Sequence, residues 1–149
     1  MGIRIVKEPY FEKQDHTYLC GIVDDIGNIF IGEAKCHPDD QDLESELVGY
    51  SIASKRAVLR ILKHHVKNEL KPTLKTFNHL YDSMRQSKHF NYKSYEAKRI
   101  YRTIKDIEEE INTFQEMIKN TEEELKEYII SKDNLRTKIR EMRAEGENK

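Results

Sequence analysis

Hydrophobic and polar positions change their period twice along these 149 residues, and each change marks a new kind of element. Gly2 to Lys7 alternates weakly around Ile3, Ile5 and Val6 and predicts a short edge strand, interrupted by Pro9. His16 to Asp24 and Asn28 to Cys36 are rich in β-branched and aromatic residues. The Asp25-Ile26-Gly27-Asn28 segment between them supplies residues that tolerate positive φ, so the pair predicts a β-hairpin. Tyr18, Cys20 and Ile22 fall on one face and Leu19, Gly21 and Val23 on the other, which predicts partial cover on both sides. From about Leu43 to Lys71 the period becomes helical, with Leu47, Tyr50, Val58, Ile61, Leu62 and Val66 on one stripe. Gly49, Ala53 and Ala57 form a second row of small residues, at which a helix backbone can lie close to the hairpin beneath. Pro72 is expected to stop or restart this helix, and Thr73 to Met84 to form another with Leu74, Phe77, Leu80, Tyr81 and Met84 inward. Ser87 to Ser94 reads as a loop.

The final third carries the most regular pattern. One heptad register runs from Ala97 to Met142, with a positions at Ala97, Ile104, Ile111, Ile118, Leu125, Lys132 and Ile139. The d positions are Ile100, Ile107, Phe114, Thr121, Tyr128, Leu135 and Met142. Such a seam predicts a coiled coil. A helix of this span would be roughly 70 Å long, too long for its own chain to cover, so self-association into a homo-oligomer follows as an expectation. Its contact residues are Ile104, Ile107, Ile111, Phe114, Ile118, Leu125, Tyr128, Leu135 and Ile139. Asn120-Thr121 followed by Glu124 resembles a helix stop and a capping box, which leaves a helical hairpin turning near 120 as the alternative to one continuous helix.

The fold class expected is therefore α+β: a small N-terminal antiparallel sheet packed on a helix, then helices ending in a long coiled coil. The expected divisions are 1–71 for the platform, 72–94 for a connecting helix and loop, and 95–145 for the coiled coil. Composition agrees, since 37% hydrophobic against 36% charged residues, without tryptophan, suits a helical chain better than a large spherical core. No apolar run approaches the ~18 residues of a membrane span, and the N-terminus has no leader pattern. The expected setting is cytoplasmic and away from membranes, with Cys20 and Cys36 reduced.

Charge adds what periodicity does not show. Residues 1–50 carry a net −7, residues 51–105 a net +11, and residues 106–149 a net −5. In the basic middle, Lys55, Arg56, Arg60, Lys63, His64 and Lys67 form a stripe along one helix. Beyond it, Arg85, Lys88, Lys93, Lys98, Arg99, Arg102 and Lys105 interleave with Phe90, Tyr92, Tyr95 and Tyr101, the mixture that phosphate contact plus base stacking uses. The opposing reading is that these cations pair with the acidic blocks on either side. Cys20, Cys36, His37 and His16 invite a zinc site, but their spacing matches no finger or ribbon, and neither a metal nor a cofactor is expected. The Asp39, Asp40, Asp42, Glu44 and Glu46 cluster reads as charge at a helix start. No phosphate loop, nucleophile elbow or hydrolase motif is present, so no enzyme is expected.

The stretch Ile31 to Ala57, with Cys36, His37, Pro38, Asp39, Asp40, Gly49, Ala53, Arg56 and Ala57, resembles a signature of small accessory proteins from bacteriophages of Gram-positive hosts. That resemblance implies a non-enzymatic inhibitor of a host factor or host defence, with Arg56 and His37 as polar contacts. The leading expectation is thus an oligomeric adaptor or inhibitor of a host protein, using His37, Arg56, Arg60, Lys63, Lys67, Arg99 and Arg102. Nucleic-acid binding through residues 55–105 is the alternative, and sequestration of an anionic nucleotide the second.

Overall fold

The structure is a computed structural model that describes residues 8–36 and 46–147. It is α+β, a three-stranded antiparallel sheet followed by helices, in two compact units. The first unit comprises Met1–Ile61 with Asn120–Lys149, and the second comprises Leu62–Lys119. The expected strand at Gly2–Lys7 lies outside the described residues.

The sheet of the first unit has the order β1 (Tyr10–Gln14), β2 (Thr17–Val23), β3 (Ile29–Lys35). β1 was not anticipated from the sequence, because Pro9 masks a strand that begins immediately after it. Proline is tolerated at the start of an edge strand, where no ladder bond is needed from its nitrogen. A two-residue turn joins β1 to β2, with Asp15 at φ 54°, a conformation Asp accepts more readily than most residues. The β2–β3 turn is held by the Asp24 carboxylate, which accepts the N–H groups of Ile26 at 3.1 Å and Asn28 at 2.8 Å. Gly27 at φ 88° supplies the positive dihedral that this turn requires.

Tyr18, Cys20 and Ile22 are buried on one face, as alternation predicts. Helix α1 (Glu46–His65) lies on that face through its small residues. A Cβ on Gly32 of β3 would fall 1.8 Å from the Ala53 carbonyl oxygen, so helix and strand backbones meet there without room for a side chain. Gly49 likewise seats the Tyr18 ring. Ile52, Ala53, Ala57 and Ile61 complete this core, and Leu125 and Ile129 pack against it. Leu47, expected on the inward stripe, is 78% exposed.

In the second unit the helix restarts at Pro72 rather than stopping there. A π-helical turn, Val66–Leu70, links α1 to α2 (Lys71–Arg85), and the Lys71 N–H donates to the Val66 carbonyl. The widened turn accommodates the proline ring, which would otherwise collide with the carbonyl four residues back, and places Pro72 in the first turn of α2. Val66, Leu70, Ile107 and Ile111 form the core here, with Leu74, Phe77, Phe114 and Ile118 packed around them. Leu80, expected inward, is 45% exposed.

Helix α3 (Tyr95–Glu147) is continuous through residues 118–125, so no hairpin turn occurs near 120. Part of its seam is covered within the one chain. Ala97, Ile104, Ile107 and Ile111 are buried, and Phe114, Ile118 and Leu125 are half-buried, within the one chain. The stripe moves from Ile111, Phe114 and Ile118 to Leu125 and Ile129, the drift expected of a 3.6-residue helix read against a 7-residue repeat. Ile139 is half-buried and Tyr128 41% exposed, and the side chain of Leu135 lies outside those described.

Candidate nucleotide-binding groove

The basic and aromatic residues between 81 and 105 come together in the second unit because local hydrogen bonds shape the loop between α2 and α3. Ser87 accepts the Phe90 N–H at its carbonyl and the His89 N–H at its hydroxyl. Asn91 accepts the Lys93 N–H at its side chain, 3.0 Å away, and the Ser94 N–H at its carbonyl. Ser94 in turn caps α3, its hydroxyl accepting the Ala97 N–H and its carbonyl the Lys98 N–H. These short turns carry Phe90 back onto Tyr81 of α2, where the rings meet edge to face at 5.8 Å.

The result is a groove of about 470 Å³ lined by Tyr81, Tyr92, Lys98, Tyr101, Arg102 and Lys105. Four of these sit at 98, 101, 102 and 105 on α3, one helical face adjacent to the buried seam of Ala97, Ile104 and Ile107. Burial of the seam fixes the rotation of α3 and thereby aims that face at the groove. Tyr92 is 66% and Tyr101 50% exposed, while Tyr81 is half-buried. Arg85 lies over Tyr81 at 6.0 Å, Lys93 over Tyr92 at 5.9 Å, and Lys105 over Tyr101 at 5.3 Å, all within cation–π range. Lys98 and Arg102 have no ion pair among the described residues. Lys105 bonds Glu108 at 3.4 Å, and that hydrogen bond and charge raise its pKa, so it stays cationic at any ordinary pH. Among the described residues no carboxylate lines the groove.

The residues singled out from the sequence divide sharply. Arg102 is in the groove, and Arg99 is exposed on α3 but is not one of the lining residues. Arg56 donates to the Glu33 carbonyl at 2.6 Å and so ties α1 to β3. Lys55, on the same stripe, pairs with Glu124 at 2.6 Å and lies over Tyr128 at 5.5 Å. Arg60, Lys63 and Lys67 are exposed, and His37 lies outside the described residues. The spacing of Tyr81 predicts a core residue, and the structure places it half-buried at the groove. The signal that could have identified it is its position four residues before Arg85, at the edge of the basic and aromatic segment.

Other chemistry is sparse among the described residues. Cys20 and Cys36 are buried thiols outside any disulfide, and burial pushes the Cys20 thiol pKa up against the opposing effect of a hydrogen bond with Ser54. The hairpin does bring Cys36 opposite His16, through a 2.9 Å backbone hydrogen bond. No group of three or more His, Cys, Asp or Glu side chains suited to a metal occurs among the described residues. His65 contacts Glu69 through Nδ1 and meets the Phe114 ring at 4.9 Å, while its Nε2 is buried without a partner. That ring belongs to the interior of the helical unit. No described helix is long and apolar enough to cross a membrane.

Comparison of the chain with protein-family models, with curated proteins and with solved structures finds no match to any of them. None of these comparisons bears on a resemblance of residues 31–57 to phage accessory proteins.

Proposed function

We propose that this chain is a non-enzymatic binding protein whose ligand carries both phosphate charge and a flat ring, and that the tyrosine and cation groove is where it binds. The carrying observation is the lining itself: three tyrosines and three cations, without a carboxylate. Cations in such a groove attract phosphate oxygens, and exposed tyrosine faces stack on bases of any identity. An acidic protein partner along the α1 stripe is less well supported, because Lys55 and Arg56 are already engaged by Glu124 and Glu33. In the phage setting suggested by residues 31–57, a groove of this kind would act by holding a nucleotide-bearing host factor or signal.

The test is a titration of the whole protein with mononucleotides and short oligonucleotides at low and at high salt. Tyrosine emission is a direct probe, since the chain has eight tyrosines and no tryptophan to dominate the signal. Quenching at low salt that weakens steeply as salt rises is the expected result. Absence of binding by every phosphate-bearing aromatic ligand at low salt would overturn the reading.

A further inference from the structure

We infer that the groove is built for a linear single strand of nucleic acid, at least two nucleotides long, rather than for a free mononucleotide. This rests on the reading of the groove just given and goes beyond it in two respects, the number of ring platforms and the layout of the cations.

The platforms come first. Tyr81 is not available for stacking, because its ring already meets Phe90, Tyr101 and the Arg85 guanidinium. It serves as the floor. Tyr92 and Tyr101 are the exposed rings, one on the loop and one on α3; Lys93 lies over the first, and the second has Lys105 over it and the Tyr81 floor beside it. An ammonium resting on a ring is readily exchanged: an entering base takes the ring face, and the lysine swings to the phosphate beside it. Two such platforms suit two bases, and a mononucleotide would leave one of them unused.

The cations give the same result by a different route. Lys98, Arg102 and Lys105 stand at i, i+4 and i+7 on α3, a row of about 10 Å along the helix axis. A row of that length follows a backbone running past it, whereas a single phosphate group is satisfied by a compact cluster. Because α3 is a rigid helix, the row cannot collapse around one small anion. A duplex fits the arrangement poorly, since its bases are stacked on one another and unavailable to Tyr92 and Tyr101.

The experiment compares thymidine monophosphate, the dinucleotide, tetranucleotide and octanucleotide of thymidine, and an octamer duplex, all against the intact protein at one low salt concentration. Affinity is expected to rise at least about tenfold from monomer to tetramer and then to level off. Tyr92→Ala and Tyr101→Ala should each weaken tetramer binding by about 5- to 150-fold, the range of one base stack. Tyr92→Phe should retain it, because the ring face remains. Monophosphate binding as tight as the tetramer, or duplex binding as tight as the single strand, would overturn the inference while leaving the groove a nucleotide site. No binding by any of these ligands would remove the proposed function itself.

Discussion

Helices α1 and α3 both carry regularly spaced cations, yet the two rows have different fates. On α1 the first two members of the stripe are used by the fold, Lys55 by Glu124 and Tyr128, Arg56 by the Glu33 carbonyl. On α3 Lys98 and Arg102 remain without ion pairs among the described residues and face a groove that also exposes tyrosine rings. The difference lies in what the neighbouring elements present. α1 lies on a sheet through glycine and alanine, so close that a long side chain flanking the contact reaches strand carbonyls and α3 carboxylates. The groove face of α3 meets an aromatic floor and a loop that offers no acid to the site. A basic stripe therefore indicates a ligand only where the packing around it leaves the charge unspent.

The contrast can be broken most forcefully through the cores that hold each helix in place. Ile107→Ala removes a fully buried side chain from the helical unit and should cost about 2–5 kcal/mol, read as a drop in the midpoint of urea unfolding. Gly32→Ala attacks the other contact. Its Cβ would meet backbone atoms that no rotamer change can move, so a loss of about 1–3 kcal/mol is expected in the same assay.

Subtler substitutions sharpen it. Lys98→Gln and Arg102→Gln should leave unfolding unchanged but each weaken oligonucleotide binding about tenfold and lower the salt slope by about 1. Lys55→Gln should do the reverse, leaving binding unchanged and costing no more than about 1 kcal/mol of stability, since the pair it breaks is partly exposed. The smallest effect concerns pH. Burial raises the Cys20 pKa in the folded state, so the folded thiol holds its proton more tightly than the unfolded one. Its contribution is complete below the ordinary thiol value of about 8.5 and is lost as pH rises through the raised value. Wild type should therefore show an alkaline decline in stability that is shallower in Cys20→Ala, measured by unfolding between neutral and strongly alkaline pH.

Much of the strand-bearing unit was legible in the residues. The hairpin, its turn at Asp24–Asn28, the buried face of β2 and the use of Gly49, Ala53 and Ala57 for close approach all follow from local rules. β1 was hidden by Pro9, because a proline one residue before an edge strand looks the same in sequence as one that prevents it. The seam of α3 was legible as a buried stripe but not as to what buries it. A heptad pattern reports which face of a helix is apolar, and it does so equally for a partner chain and for the chain's own helices.

By itself, then, the sequence determined the periods: the hairpin strands β2 and β3, the helical segments, which faces are greasy, and where basic and aromatic residues mix. Those properties are set by neighbours within a few residues. Only the tertiary structure decided that Ile107 shares a core with Leu70, that Lys55 and Arg56 are engaged by Glu124 and Glu33, and that Tyr81 meets Tyr101 in a groove whose Arg102 has no ion pair among the described residues. These pairings join residues up to 69 positions apart, and such distances in the chain are closed by packing energy that no local pattern encodes.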